Sequence, residues 1–90
     1  MASTDFNVYL PLETGRFTVD CVAGTNRVTS ATALTAGTFP VNFANKLVCS
    51  IIGHGTYDNT NDNVTCDSTT IFIHAEKAQR ITVRWIKVPN

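Results

Sequence analysis

The chain has 90 residues, 43% of them hydrophobic, and seven basic and seven acidic side chains cancel to a formal net charge of zero. This length predicts one domain, residues 6–90, behind an N-terminal arm of residues 1–5; a core of this size buries only about 60% of the unfolded surface, so partners are expected to add stability. The charge balance excludes the clustered positive surface that a nucleic-acid partner demands, and no apolar run approaches the ~20 residues of a membrane-spanning helix, so no membrane insertion is expected. Met1 to Asn7 is polar and carries Asp5 where a secretory leader needs an apolar run, so no leader is expected.

Apolar residues recur with period two nearly everywhere, and no window shows the recurrence of an amphipathic helix, so the chain reads as all β. Val8, Leu10 and Leu12 alternate with Asn7, Tyr9 and Pro11 in a first strand that ends at Thr14-Gly15. Phe17, Val19 and Cys21 alternate with Arg16, Thr18 and Asp20 up to a turn at Gly24-Thr25-Asn26. Arg27 to Thr35, rich in Thr, Ser and Ala, reads equally as a weak edge strand or a loop. Phe39, Val41 and Phe43 alternate with Thr38, Pro40 and Asn42, which predicts a strand whose proline marks an edge or a strand start. Leu47 to Gly53 is apolar in both registers, the pattern of a strand covered on two sides. Gly53 to Asn63 is a polar loop, Val64–Cys66 and Ile71–His74 form a hairpin around Asp67-Ser68-Thr69, and a Glu76-Lys77-Ala78 turn leads into a last strand, Gln79 to Val88.

That last strand sets Ile81, Val83 and Trp85 on one face and Arg80, Thr82 and Arg84 on the other, then adds Ile86 and Val88 in the second register. Each sheet of a sandwich buries one face, so Val48, Ile52, Phe72, Ile86 and Val88 exceed the needs of one core. Either they form a subunit interface, with Arg80 and Arg84 beside them, or a bulge returns them all to one core. Cys21, Cys49 and Cys66 lie in strand-like runs without C-x-x-C spacing, so no zinc site is indicated; they read as small hydrophobes, with one disulfide among them as the alternative.

Catalytic equipment is not legible. No nucleophile elbow accompanies His54 or His74; His74, within an apolar strand, reads as a hydrogen-bonded structural histidine, and His54, between glycines, as the better ligand contact. Asp58-Asn59-Thr60-Asn61-Asp62 resembles the opening of a calcium loop but continues with Asn63 where that loop needs glycine and Thr69 where it needs glutamate, so an Asn/Asp-rich turn is the reading. Gly53-His54-Gly55 has no downstream P-loop lysine, and the sequon Asn63-Val64-Thr65 reads as incidental. Neither a cofactor nor a metal is expected. Arg80, Arg84, Lys77 and Lys87 make the last strand basic, as a solvated or salt-bridged face or, less simply, as a surface for an anionic partner.

The order Thr38-Phe39-Pro40-Val41-Asn42-Phe43-Ala44-Asn45-Lys46-Leu47-Val48, Ser50-Ile51-Ile52, a polar loop, a hairpin and Ile81-Thr82-Val83-Arg84-Trp85-Ile86, with Glu13-Thr14-Gly15-Arg16-Phe17 upstream, resembles the H-type lectin domain. It is similar also to the compact domains that end many phage tail fibres. The resemblance covers residues 13–88. It implies a six-stranded antiparallel β-sandwich that assembles as a trimer; the reading from the residues themselves allows six to eight strands. The lectin family holds sugar in loops with an Asp, an Arg and a Trp-His pair. Here Ala75-Glu76-Lys77-Ala78 offers no such pair, which leaves His54, Tyr57, Asp58, Asn59, Asn61 and Asp62 as the candidate ligand loop for a cell-surface glycan. Small size, surplus apolar positions and the resemblance together lead to an expected non-enzymatic homotrimer on a tailed-phage virion. It would serve as a capsid decoration (cement) protein on the major capsid protein or as a fibre component, with a carbohydrate- or receptor-binding module as the alternative. The arm Met1–Asp5 and the strand Phe6–Leu12 suit β-augmentation of a neighbour.

Overall fold

The computed structural model describes residues 13–41, 43, 47–56 and 60–88. The arm at residues 1–5, the strand expected at Phe6–Leu12, and Tyr57, Asp58 and Asn59 lie outside the described residues. Within them the chain is all β, with strands β1 (Thr14–Cys21), β2 (Gly24–Val28), β3 (Ala36–Gly37), β4 (Leu47–His54), β5 (Asn63–Cys66), β6 (Ile71–Ala75) and β7 (Gln79–Lys87). They form a four-stranded sheet in the order β3-β1-β7-β4, here sheet A, and a three-stranded sheet in the order β2-β6-β5, here sheet B. Every pairing is antiparallel.

Alternation builds the core between the sheets, because successive side chains of a strand point to opposite faces. Phe17, Val19 and Cys21 of β1 and Ile81, Val83 and Trp85 of β7 meet Val28 of β2 and Ile71, Ile73 and Ala75 of β6, all buried, with Leu47, Cys49, Ile51, Val64 and Cys66 packed at the side. Trp85 lies flat under Gly15, where a Cβ would come within 2.6 Å of the indole ring, and its Nε1–H donates to the Thr38 carbonyl at 2.9 Å. Its bulk and its polar handle are thus both satisfied.

Two expectations are corrected and one left open is resolved. Gly24-Thr25-Asn26 is no turn: these residues open β2, and the turn precedes them, clasped by Asn26, whose Oδ1 accepts from Val22 N and whose Nδ2 donates to Val22 O, each at 2.9 Å. The side chain that marks a turn by composition closes that turn from the following strand. Arg27 to Thr35 divides, with Arg27 and Val28 finishing β2 and the remainder a loop, in which Thr32 N bonds back to Thr29 O at 3.0 Å. Finally, Thr38 to Val41 and Phe43 form no strand. Gly37, at φ +88°, turns the chain off β1 where a Cβ would strike the Arg16 carbonyl, and Pro40, fully buried, has no N–H for a ladder. Phe39 instead packs tilted against Phe17, ring centres 5.7 Å apart, and Phe43 edge-on against Phe39 at 6.0 Å, an aromatic plug at the end of the sandwich. The hairpin of β5 and β6, the turn at Glu76-Lys77-Ala78 and the last strand fall where the alternation places them.

Candidate functional site

The outer face of sheet A carries most of the surplus residues. β4 and β7 pair through Val48↔Ile86, Ser50↔Arg84 and Ile51↔Val83, then slip so that Gly53 faces Thr82 and His54 faces Ile81. The extra residue is Ile52, a β-bulge. It does not return the outward residues to the core: Val48 is 57% exposed, Ile52 46% and Val88, just past β7, 40%. Of the two readings left open by the sequence, the bulge fails. β4 is also an edge strand, and among the described residues no other strand pairs with its free side.

Between the apolar positions sits a charged row. Register sets Arg16 of β1 directly opposite Arg84 of β7, with Ser50 on the other side of Arg84. Like charges directly opposite on one face repel, and among the described residues no carboxylate pairs with either guanidinium. Arg80 differs, donating from Nε to Asp20 Oδ1 at 3.0 Å in an exposed ion pair. Thr18 and Thr82 join their hydroxyls at 2.8 Å between these rows. Val48, Ile52, Arg80, Arg84 and Ile86 therefore share one face. Arg16 lies on that face too and is not legible in the sequence, because its place opposite Arg84 is visible only once β1 and β7 are in register. Phe72 belongs elsewhere, on the outer face of sheet B, beneath the Arg27 guanidinium at 5.3 Å from the ring centre.

The polar loop is tied at its base. The bulge turns His54 from the outer to the inner side of sheet A, and its Nε2 meets Asp62 Oδ2 at 3.0 Å as an ion-pair contact off hydrogen-bond alignment. The His54 and Asp62 side chains are 14% and 1% exposed. Asp62 Oδ1 also accepts from Glu76 N at 2.8 Å, Gln79 Oε1 accepts from Thr56 N at 2.9 Å, and Gly55 N donates to Arg80 O at 2.8 Å. His54 and Asp62 thus brace the loop, and Asn61 is exposed beside them.

His74 Nε2 contacts Glu76 Oε2 at 2.7 Å on the outer side of sheet B, the structural role expected for it. Asp67 Oδ1 accepts from Thr69 N at 2.9 Å and Thr70 N at 2.8 Å, and these backbone donors hold its carboxyl below the usual carboxylate range. Among the described residues no three His, Cys, Asp or Glu side chains gather as a metal ion would require. A groove of about 470 Å³ beside the aromatic plug is lined by Phe39, Pro40, Val41 and Phe43, with Ser30, Ser68 and Thr69 at its rim. None of these side chains titrates near neutral pH.

No family model, curated protein or solved structure matches this chain. The resemblance to H-type lectins and fibre-tip domains therefore rests on the residues quoted above.

Proposed function

We propose that this chain is a non-enzymatic structural protein of a tailed bacteriophage, a homotrimer at the virion surface. In this reading it is a capsid decoration (cement) protein seated on the major capsid protein, or a component of a surface fibre. The observation that carries the proposal is the outer face of sheet A. Exposed Val48 and Ile52 on the edge strand β4 flank an Arg16–Arg84 row with which, among the described residues, no carboxylate pairs. A surface of this chemistry gains from a partner that covers the apolar positions and brings acidic groups to the arginines. Light scattering of the purified chain should give the mass of a trimer, and the protein should sediment with phage shells. A monomer with no affinity for any shell would overturn the proposal.

The braced loop supports a second reading, a glycan- or receptor-binding module. A ligand loop works best on a rigid base, and His54, Asp62 and Gln79 supply one. Saturable glycan binding that disappears in Tyr57→Ala and Asp58→Ala would favour it, whereas a blank glycan array with shell binding intact would leave only the first.

A further inference from the structure

The two sheets approach most closely where β4, at the edge of sheet A, meets β5, at the edge of sheet B, with Cα atoms within 8 Å. Sandwich sheets ordinarily stack about 10 Å apart, whereas a disulfide needs Cα atoms roughly 4.4–6.8 Å apart, so such a pinched edge is where facing cysteines can join. Each of these strands brings one cysteine to the inward side. Cys49 lies between Leu47 and Ile51 on β4, and Cys66 ends β5, both packed against the core and both reduced. The Cys66 thiol lies 3.6 Å from the carbonyl of Leu47, two residues before Cys49 on the same inward side of β4, and the Cys66 sulfur is near enough to act on the Cys49 thiol.

We propose that Cys49 and Cys66 form an inter-sheet dithiol site that closes to a disulfide by exchange with a low-molecular-weight disulfide such as oxidised glutathione. The thiolate of Cys66, beside the exposed Asp67 turn, attacks the small disulfide and expels one thiolate, leaving a mixed disulfide. Cys49 then gives its proton to solvent, attacks the Cys66 sulfur and expels the second thiolate. One S–S bond breaks in the reagent and one forms in the protein; two protein thiols are oxidised and two small thiols are produced.

Burial and the neighbouring Cys66 sulfur push the Cys49 thiol up to about 12. Little thiolate is then present at neutral pH, so Cys49 resolves the mixed disulfide rather than starting the exchange, and closure is slow. Cys21 takes no part. It is buried in β1, and burial, with Asp20 beside it, pushes its thiol up to about 11.

The full chain is incubated with excess oxidised glutathione or with dithiothreitol, then followed by intact mass, non-reducing peptide mapping and thermal unfolding. The expected product is a single-chain species lighter by two hydrogens, with Cys49 joined to Cys66 and Cys21 free. Its unfolding midpoint should be higher by about 10 °C, and dithiothreitol should reverse the change. Cys21→Ser should close as the parent does, and Cys49→Ser should stop at the glutathione adduct on Cys66. The mapping of the parent chain decides the matter even if a variant fails to fold. A linkage through Cys21, links only between chains, a persistent glutathione adduct on the parent, or no oxidised product at all would overturn the proposal.

Discussion

The outer faces of the two sheets solve the same problem differently. On sheet B the large apolar side chain, Phe72, has its own cover in Arg27, and His74 pairs with Glu76. On sheet A, Val48 and Ile52 have no such cover, and Arg16 and Arg84 face each other rather than an acid. Both sheets obey the same alternation inward, so the difference concerns what lies outside. Sheet B completes its own surface, and sheet A presents one that another molecule can complete.

The harshest way to break this contrast is to remove what both faces stand on. Trp85→Ala should cost about 3–5 kcal/mol in denaturant unfolding, because it empties the space under Gly15 and frees the Thr38 carbonyl. Next in size, Val48→Asp with Ile52→Asp should weaken self-association by roughly 30-fold, about 2 kcal/mol per protomer, in sedimentation equilibrium. Thermal unfolding of the isolated chain should move less than association, since both side chains are about half exposed on the outer face. The same assay with Phe72→Asp should leave association unchanged and lower chain stability instead; if it dissolves the oligomer, the contrast between the faces is wrong.

Asp62→Ala removes the acceptor of Glu76 N and the partner of His54. It should cost about 1–3 kcal/mol and speed amide exchange in the Glu76–Ala78 turn. Smaller still is Arg27→Ala on sheet B, about 0.5–1 kcal/mol in thermal unfolding from the uncovered Phe72 ring.

Asp67→Ala should have the least effect and should show it by pH. The folded carboxyl titrates below its ordinary value of 3.8 because Thr69 and Thr70 donate to it. Its contribution is therefore fully present above that value and is lost as pH falls through the lowered one. Parent and variant midpoints should differ at pH about 6 and converge as the carboxyl protonates toward pH about 2.

Much of this architecture is legible in the residues. Phe17-x-Val19-x-Cys21, Ile71-x-Ile73 and Ile81-x-Val83-x-Trp85 alternate because one face of each is buried, and period two survives any uncertainty in connection. Phe39, Val41 and Phe43 alternate for another reason. Phe39 and Phe43 plug the end of the sandwich while Val41 faces outward, a pattern without a ladder behind it that period cannot distinguish from a strand. The outward apolar positions Val48, Ile52 and Ile86 are legible as apolar surplus, whereas the Arg16–Arg84 row required the register of β1 on β7. Likewise, Gly-His-Gly composition suggested an open ligand contact at His54, but one extra residue in β4 decides which way that ring points.

That extra residue gives β4 a change of parity that no other described strand has. Leu47, Cys49 and Ile51 point inward at odd positions and His54 at an even one, and Ile52 absorbs the change. Deleting Ile52 would make Ile51↔Val83 and Gly53↔Thr82 consecutive pairs, with every remaining side chain of the strand still on its present side. Deleting Ser50 or Cys49 would instead turn over the residues between the cut and Ile52 as the bulge is used up. A deletion two or three positions away changes the facing of side chains between the cut and the bulge, whereas at Ile52 none changes side. Loss of this residue therefore shortens β4 with its inward set unchanged while stripping an apolar side chain from the outer face.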